Sequence, residues 1–221
     1  MVVRNQNRIR CAFILNILVV LIEMHSFFVS LFVKPDFSIS YFGYYTHISG
    51  TMALFSSLLV AIELTREFAN AGYRIRTAFM KFRYVAVCMQ AMTMFVVFLV
   101  ILPSDIRKGT FSLYRYANVG EYAVCPVLSI ISMIVFGDCR GVTEKDAFIA
   151  FIPTFVYGVV VGLLNVLGVV DGPYDFVRAR ILGVGRSLFW LLVMNGMAYA
   201  INRLLIVLSH RFNKKYVSET E

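Results

Sequence analysis

Six long apolar stretches follow one another along the chain, near Cys11–Val33, Tyr41–Leu64, Tyr84–Leu102, Val119–Phe136, Ala147–Val170 and Gly185–Ser209. Each approaches the roughly 20 residues an α-helix needs to cross the hydrocarbon core of a bilayer. Apolar and polar residues do not alternate with a period of two, which argues against a transmembrane β-barrel. The connectors are too short for a soluble domain. The pattern therefore predicts one polytopic domain over residues 1–221, an all-α bundle of six transmembrane helices.

Composition agrees with this reading. Hydrophobic residues make up 59% of the 221 positions and charged residues only 15%, against about a quarter charged in a soluble domain. A net charge of +8 would suit nucleic acid, but no soluble basic domain exists to carry such binding. The charges fall instead in alternate connectors. Arg4, Arg8 and Arg10, then Arg66, Arg74, Arg76, Lys81 and Arg83, then Arg140 and Lys145, and finally Arg211, Lys214 and Lys215 would share one side. They outnumber Lys34, Arg107, Lys108, Arg115, Arg178, Arg180 and Arg186 on the other. The positive-inside rule then puts both termini in the cytoplasm, with membrane lipids as the partners of the basic surface. A multi-pass protein of a bacterial plasma membrane is expected.

Other patterns refine the picture. Arg residues followed by an apolar run from Cys11 imitate a signal peptide, but no small-residue cleavage site follows, so an uncleaved first span is expected. Cys11, Cys88, Cys125 and Cys139 form no C-x-x-C pair; they read as reduced packing residues, with no metal site and no cofactor indicated. The connector from Thr65 to Arg83 reads either as a surface-lying amphipathic helix or as an extension of its flanking helices. Gly158 and Gly162 form a G-x-x-x-G that favours close helix approach, within one chain or in a homodimer. No internal repeat is visible, which weakens a repeat-built transporter.

Ionisable and hydroxyl residues inside apolar spans are the candidates for function, because charge in hydrocarbon is costly. Glu23 and His25 lie in the first span, Thr46, His47 and Ser49 in the second, and Glu121 opens the fourth. All fall in one half of the membrane, on the order of 2 to 10 Å outward from the midpoints of their spans. Glu23 is expected to pair with Arg186 or Arg203, while Glu63 and Arg203 are expected to snorkel. Pro126 removes the donor that the Tyr122 carbonyl would use, and Pro153 interrupts the fifth span. This reads either as a pointer to a polar pocket at Glu121 and Tyr122 or as a packing kink. The outer connector carrying Tyr174, Asp175 and Arg178 reads as interfacial anchors or as a lid over that pocket.

Three segments resemble one known family. Tyr45-Thr46-His47-Ile48-Ser49, with Leu54 and Leu58-Leu59-Val60-Ala61 after it, resembles the second helix of the androgen-inducible integral membrane proteins and their bacterial six-helix relatives. Tyr122-Ala123-Val124-Cys125-Pro126-Val127-Leu128 is similar to their fourth helix. Pro173-Tyr174-Asp175-Phe176, leading into Gly183, Gly185 and the last span, is similar to their outer loop and sixth helix. The resemblance implies a six-helix fold and hydrolysis of fatty-acid esters of hydroxy fatty acids, with Thr46 at the position of the nucleophile. Glu121 and Tyr122 stand where the family has its histidine, and Gly50 where it has an asparagine.

A threonine hydroxyl needs a neighbouring base, which here must be Glu121, His47 or His25. His47 points about 100° away from Thr46 on a helix. The expected function is thus an outward polar pocket that binds a lipid ester and hydrolyses it through Thr46. Glu121, His47 and His25 are the candidate bases, and Glu23, Ser49, Tyr122, Tyr174, Asp175 and Arg178 are expected to contact the substrate. The alternatives are a scaffold or lipid-binding protein without chemistry, and a small-solute or proton-coupled transporter.

Overall fold

The computed structural model describes residues 6–29, 43–70, 73, 75–109, 119–137, 141–170, 174 and 178–218, with side chains as far as residue 212. These residues are mostly helical, with no strand among them. The helices are α1 (Gln6–Phe28), α2 (Tyr45–Ala69), α3 (Thr77–Arg107), α4 (Gly120–Phe136), α5 (Glu144–Val166), the short α6 (Ala179–Leu182) and α7 (Val184–Ser218). Among the described residues, α1, α2, α3, α5 and α7 are long and apolar enough to cross a membrane, and α4 is a shorter apolar helix. This is the make-up of a multi-pass membrane protein.

The faces of the helices are arranged the opposite way round from a soluble bundle. On α1, Ile14, Leu18, Leu21 and Met24 are exposed, while Asn16, Glu23 and Ser26 are buried. On α5, Phe148, Ile152 and Phe155 point outward, and Asp146 and Asn165 point in. An outer surface of Leu, Ile and Phe would aggregate in water but is solvated by lipid tails, and the polar side chains bond to one another inside.

The packing has two centres joined by α3. One is built from α1, α2 and α4 against α3; the other from α5 and α7, with α3 touching both. The larger apolar cluster belongs to the second centre and includes Tyr84, Met89, Met133, Ala150, Ala198 and Leu205. Small residues let the first centre close up: Val19, Ala53 and Cys125 are each fully buried between α1, α2 and α4.

Prolines set the local winding. The segments Val97–Ile101 and Gly120–Val124 are wound as π-helix. Each lies just before a proline, Pro103 and Pro126 respectively. A proline ring collides with the carbonyl four residues back, and the wider π turn makes room for it. The π turn before Pro126 thus makes room for its ring beside the Tyr122 carbonyl. Gly137 ends α4 in the left-handed conformation, with φ +71°, where any side chain would be strained.

The helices decide between some of the expected placements and overturn another. The connector after α2 is short, because α2 runs on to Ala69 and α3 already starts at Thr77; the flanking helices extend, the second of the two readings of this segment, and among the described residues no separate surface helix lies between them. Glu63 does not snorkel. It is 1% exposed, and its carboxylate accepts bonds from Arg66 at 2.7 Å, the Tyr73 hydroxyl at 2.7 Å and the Arg76 backbone N–H at 3.4 Å. It therefore fastens the link from α2 to α3. Gly158 serves packing within the chain, since a methyl placed on it would meet Leu191 of α7 at 2.7 Å.

The same end of the bundle is tied by Lys81 to Asp146 at 2.9 Å, by Asp146 to the Thr143 backbone N–H at 2.7 Å, and by the Tyr84 hydroxyl to the Asn202 carbonyl at 2.7 Å. Arg203 pairs with Glu144 on the surface at 3.0 Å. Glu63→Ala should lower the melting temperature of the detergent-solubilised protein by roughly 5 °C, since it removes several bonds to one carboxylate. Thr65→Ala, at an exposed position bonded only to its own helix, should leave the melting temperature within about 1 °C, as expected of a surface substitution.

Candidate functional site

A column of polar side chains runs through α1, α2, α3 and α4. At its upper end, where α2 begins, the Ser26 hydroxyl donates to Glu121 Oε2 at 2.9 Å and His47 Nδ1 lies 3.2 Å from Glu121 Oε1. Deeper, Gln90 Nε2 donates to Glu23 Oε1 at 2.9 Å. The Ser129 hydroxyl donates to Gln90 Oε1 at 2.7 Å. Arg83 donates to Ser129 at 3.0 Å and to Ser56 at 3.4 Å. Deeper still, Asn16 donates to Ser132 at 3.1 Å. From Ser26 to Asn16 the column descends about 15 Å along α1.

Local structure places each group. The π turn at the start of α4 carries Glu121, 4% exposed, towards α1 and α2. Glu23 is also 4% exposed, on the inner face of α1. Gly50 of α2 stands between the two carboxyls: a methyl added there would lie 2.6 Å from Glu23 Oε2 and 3.3 Å from Glu121 Oε1. The two carboxyl groups therefore approach within about 6 Å, the range in which like charges resist joint ionisation. Any side chain at position 50 would occupy the space the carboxyls fill.

The cation of this column differs from the expected one. Arg186 is exposed and Arg203 is paired with Glu144, so neither reaches Glu23. Arg83, read from the sequence as part of a cytoplasmic connector, is instead fully buried in α3. It is linked to Glu23 through the Ser129–Gln90 chain of hydrogen bonds. A guanidinium cannot face lipid, and the hydroxyls of α2 and α4 give it somewhere to bond.

Thr46 belongs to a second feature. It lines a cavity of about 60 Å³ between α2, α3, α5 and α7, walled by Tyr45, Met92, Val96, Val97, Tyr157, Trp190, Met194 and others. Thr93, Thr154 and Asn195 supply its few other small polar groups. The Tyr45 hydroxyl bonds Thr154 at 2.7 Å, and the Tyr157 hydroxyl donates to the Gly43 carbonyl at 2.8 Å. Tyr174 closes this cavity against Thr46. Burial pushes its phenol up to about 12, against the opposing pull of its hydrogen bonding to Thr46, so it stays a neutral hydroxyl at physiological pH. Ser49 is fixed between the Thr46 carbonyl and the Thr93 hydroxyl, both at 2.8 Å. The π segment of α3 contributes Val97 and Ile101 to the wall.

The candidates thus divide. Glu23, His47 and Glu121 come together in the column; Thr46 and Tyr174 come together at the cavity, with Ser49 behind them. His25 joins neither, for it is exposed on the outer face of α1. Tyr122 and Arg178 are half-buried, and Asp175 lies outside the described residues. Asn16, Ser56, Arg83, Gln90 and Ser129 were not recognised from the sequence. Their signal was a series of small or amide side chains within apolar spans. Among the described residues, no three His, Cys, Asp or Glu side chains are grouped as a metal ion would require.

Compared with known proteins, the chain is matched by no family model, no curated protein and no solved structure.

Gly50→Ala should destabilise the protein by about 1–2 kcal/mol, because the added methyl must displace a hydrogen-bonded carboxyl. Gly162→Ala, where nothing lies within 4 Å of the new atom, should be neutral or stabilising by up to about 1 kcal/mol. Unfolding titrations in detergent read both.

Proposed function

We propose that this chain is a six-span protein of a bacterial plasma membrane, with both termini cytoplasmic, that binds the apolar end of a lipid ester or similar amphiphile in the cavity at Thr46. The carrying observation is the cavity's lining: aromatic and aliphatic walls, with the hydroxyls of Thr46, Thr93 and Thr154 and the amide of Asn195 as its small polar groups. Such a pocket favours alkyl chain and holds one or two polar atoms in register. The Asn195 Oδ1 is buried with no hydrogen-bond partner among the described residues; an ester has no donor for it, so among amphiphiles it favours one that carries a hydroxyl near the buried end of its chain.

At about 60 Å³ the space suits a short stretch of chain, not a whole lipid, so the rest of the ligand would lie in the bilayer. Counting α4 as the sixth span puts the start of α2, and with it Thr46, His47 and Glu121, at the outer side. The basic surplus supports this orientation even with Arg83 removed from it. Kinship with the androgen-inducible membrane proteins rests on the sequence resemblance.

Binding is better supported than hydrolysis. The neighbour that closes on Thr46 is the neutral phenol of Tyr174, a poor base, while the Glu121 carboxyl is engaged by Ser26 and His47. A fatty-acyl ester bearing a photoreactive group at the end of its chain, added to the reconstituted protein, tests the reading. Crosslinks should map to α2, α3, α5 and α7, and fall at least tenfold in Met194→Trp or Ile101→Trp, which fill the cavity. Crosslinking unchanged in both folded variants would refute ligand occupancy there. Labelling of the wild type by a serine-hydrolase probe, abolished in Thr46→Ala, would restore the hydrolytic reading.

A further inference from the structure

At about 60 Å³ the cavity at Thr46 holds only the end of a chain, so a ligand seated there must leave it between two helices. Most sides are closed. Between α2 and α3, the Ser49 and Thr93 hydroxyls are bonded at 2.8 Å. Between α2 and α5, the Tyr45 and Tyr157 rings lie 5.1 Å apart, and their hydroxyls are fixed by Thr154 and the Gly43 carbonyl. Between α5 and α7, Leu191 fills the notch at Gly158. Beyond that contact α6 lies against the ends of both helices, with the Arg180 backbone N–H donating to Asn165 Oδ1 at 3.3 Å. Tyr174 closes the cavity against Thr46. Towards the opposite end of the bundle, Met89, Met133, Ala198 and Ile201 are buried in one apolar cluster.

The remaining side lies between α3 and α7. These helices pack together from the Tyr84–Asn202 bond as far as the cavity. Beyond it, Val97–Arg107 of α3 has at most sparse contact with any other described helix. A π turn takes more residues than an α turn, so the face of α3 that meets α7 is not continued past Val97–Ile101. Phe98 and Leu99 are exposed there. The first turns of α7, at the same end of the bundle, are equally open. Val184, Leu188 and Phe189 are exposed, and a methyl placed on Gly185 would meet nothing within 4 Å.

One polar group marks this gap. Ser187 stands seven residues before Met194, hence on the same face of α7 and about 10 Å nearer its start. Met194 lines the cavity and belongs to the cluster shared with α3, so Ser187 is turned towards the gap. Its oxygen is buried, with no hydrogen-bond partner among the described residues. A hydroxyl in that state lacks an acceptor for its proton. An ester carbonyl is such an acceptor, and an alkyl chain is not.

We propose that the gap between Val97–Arg107 and the first turns of α7 is a lateral doorway for a single acyl chain, with Ser187 donating to the ester carbonyl. The chain enters sideways from the adjoining leaflet. Its end lies at Thr46 and Asn195, its ester stands in the doorway, and the rest of the ligand stays among the lipids. This rests on the occupancy of the cavity proposed above.

Two methyl esters of one long-chain fatty acid test it, one carrying a diazirine at the chain end and one beside the ester. Each is photolysed with the full chain in phosphatidylcholine liposomes. The chain-end probe should label the cavity walls, and the ester-end probe Val97–Arg107 of α3 and the first two turns of α7. Ester-end label on the seams of α5 with α2 or α7, with chain-end label still in the cavity, would overturn the doorway and leave the occupancy standing. No chain-end label in the cavity would overturn both. Ser187→Ala should weaken binding of the ester by roughly fivefold and leave the matching alkyl diazirine unchanged, as expected for one lost hydrogen bond. Equal losses for the two, or none for the ester, would show that Ser187 does not hold the carbonyl. Ser187→Trp should slow chain-end labelling by roughly tenfold by narrowing the entrance, whereas Leu163→Trp, exposed on α5, should not. An unchanged rate in folded Ser187→Trp would overturn entry by this route. The two wild-type label maps decide the matter if that variant fails to fold.

Discussion

A carboxyl group inside a membrane protein has to be met by other polar groups, and in this chain that demand organises half the bundle. Glu23 and Glu121 cannot face lipid, where an isolated charge is very costly. Each helix of the first packing centre therefore carries polar groups to the same axis: Asn16 and Ser26 on α1, His47 and Ser56 on α2, Arg83 and Gln90 on α3, Ser129 and Ser132 on α4. Between tail-solvated helices the hydrophobic effect offers little driving force, so such bonds and close packing supply it. The small residues at Gly50, Ala53 and Cys125 let the helices come near enough for the bonds to form.

The second packing centre solves a different problem. Between α3, α5 and α7 the contacts are largely aromatic and sulfur-bearing, and the polar bonds sit towards the two ends: Tyr45 and Tyr157 are held by Thr154 and the Gly43 carbonyl at the cavity, and Lys81 with Asp146 and Tyr84 with Asn202 tie the other end. Both centres use a π turn beside a proline, one directing Glu121 and the other forming the cavity wall. A local accommodation to proline thus positions chemistry in each half. Helix α2 serves both: from one turn, Thr46 borders the cavity while His47 meets Glu121.

The positions of the helices were legible in the sequence because their cause is local. An apolar run of sufficient length reveals a span without any partner being known, and the observed helices overlap all six expected stretches. Their ends were less legible. The start of α3 was misread because Lys81 and Arg83 look like connector charges, yet Lys81 pairs with Asp146 and Arg83 is enclosed by Ser56 and Ser129. Those partners lie on other helices, and sequence distance hides them. The site was legible only in part for the same reason. Glu23, His47 and Glu121 announce themselves by charge, whereas Gln90 and Ser129 carry none and gain meaning only when α3 and α4 face α1. His25 looked equivalent to Glu23 two positions earlier, but that offset on a helix turns it to the opposite side.

The central claim is that four helices are joined by one connected polar network and not by separate local bonds. Glu23 and Ser129 have no hydrogen bond to each other, but both bond Gln90. A double-mutant cycle of Glu23→Gln and Ser129→Ala, read as unfolding free energy in bilayer-like bicelles, tests that connection. A coupling energy of about 1 kcal/mol or more is the predicted result; losses that add to within about 0.5 kcal/mol would show the two residues to be independent and contradict the network.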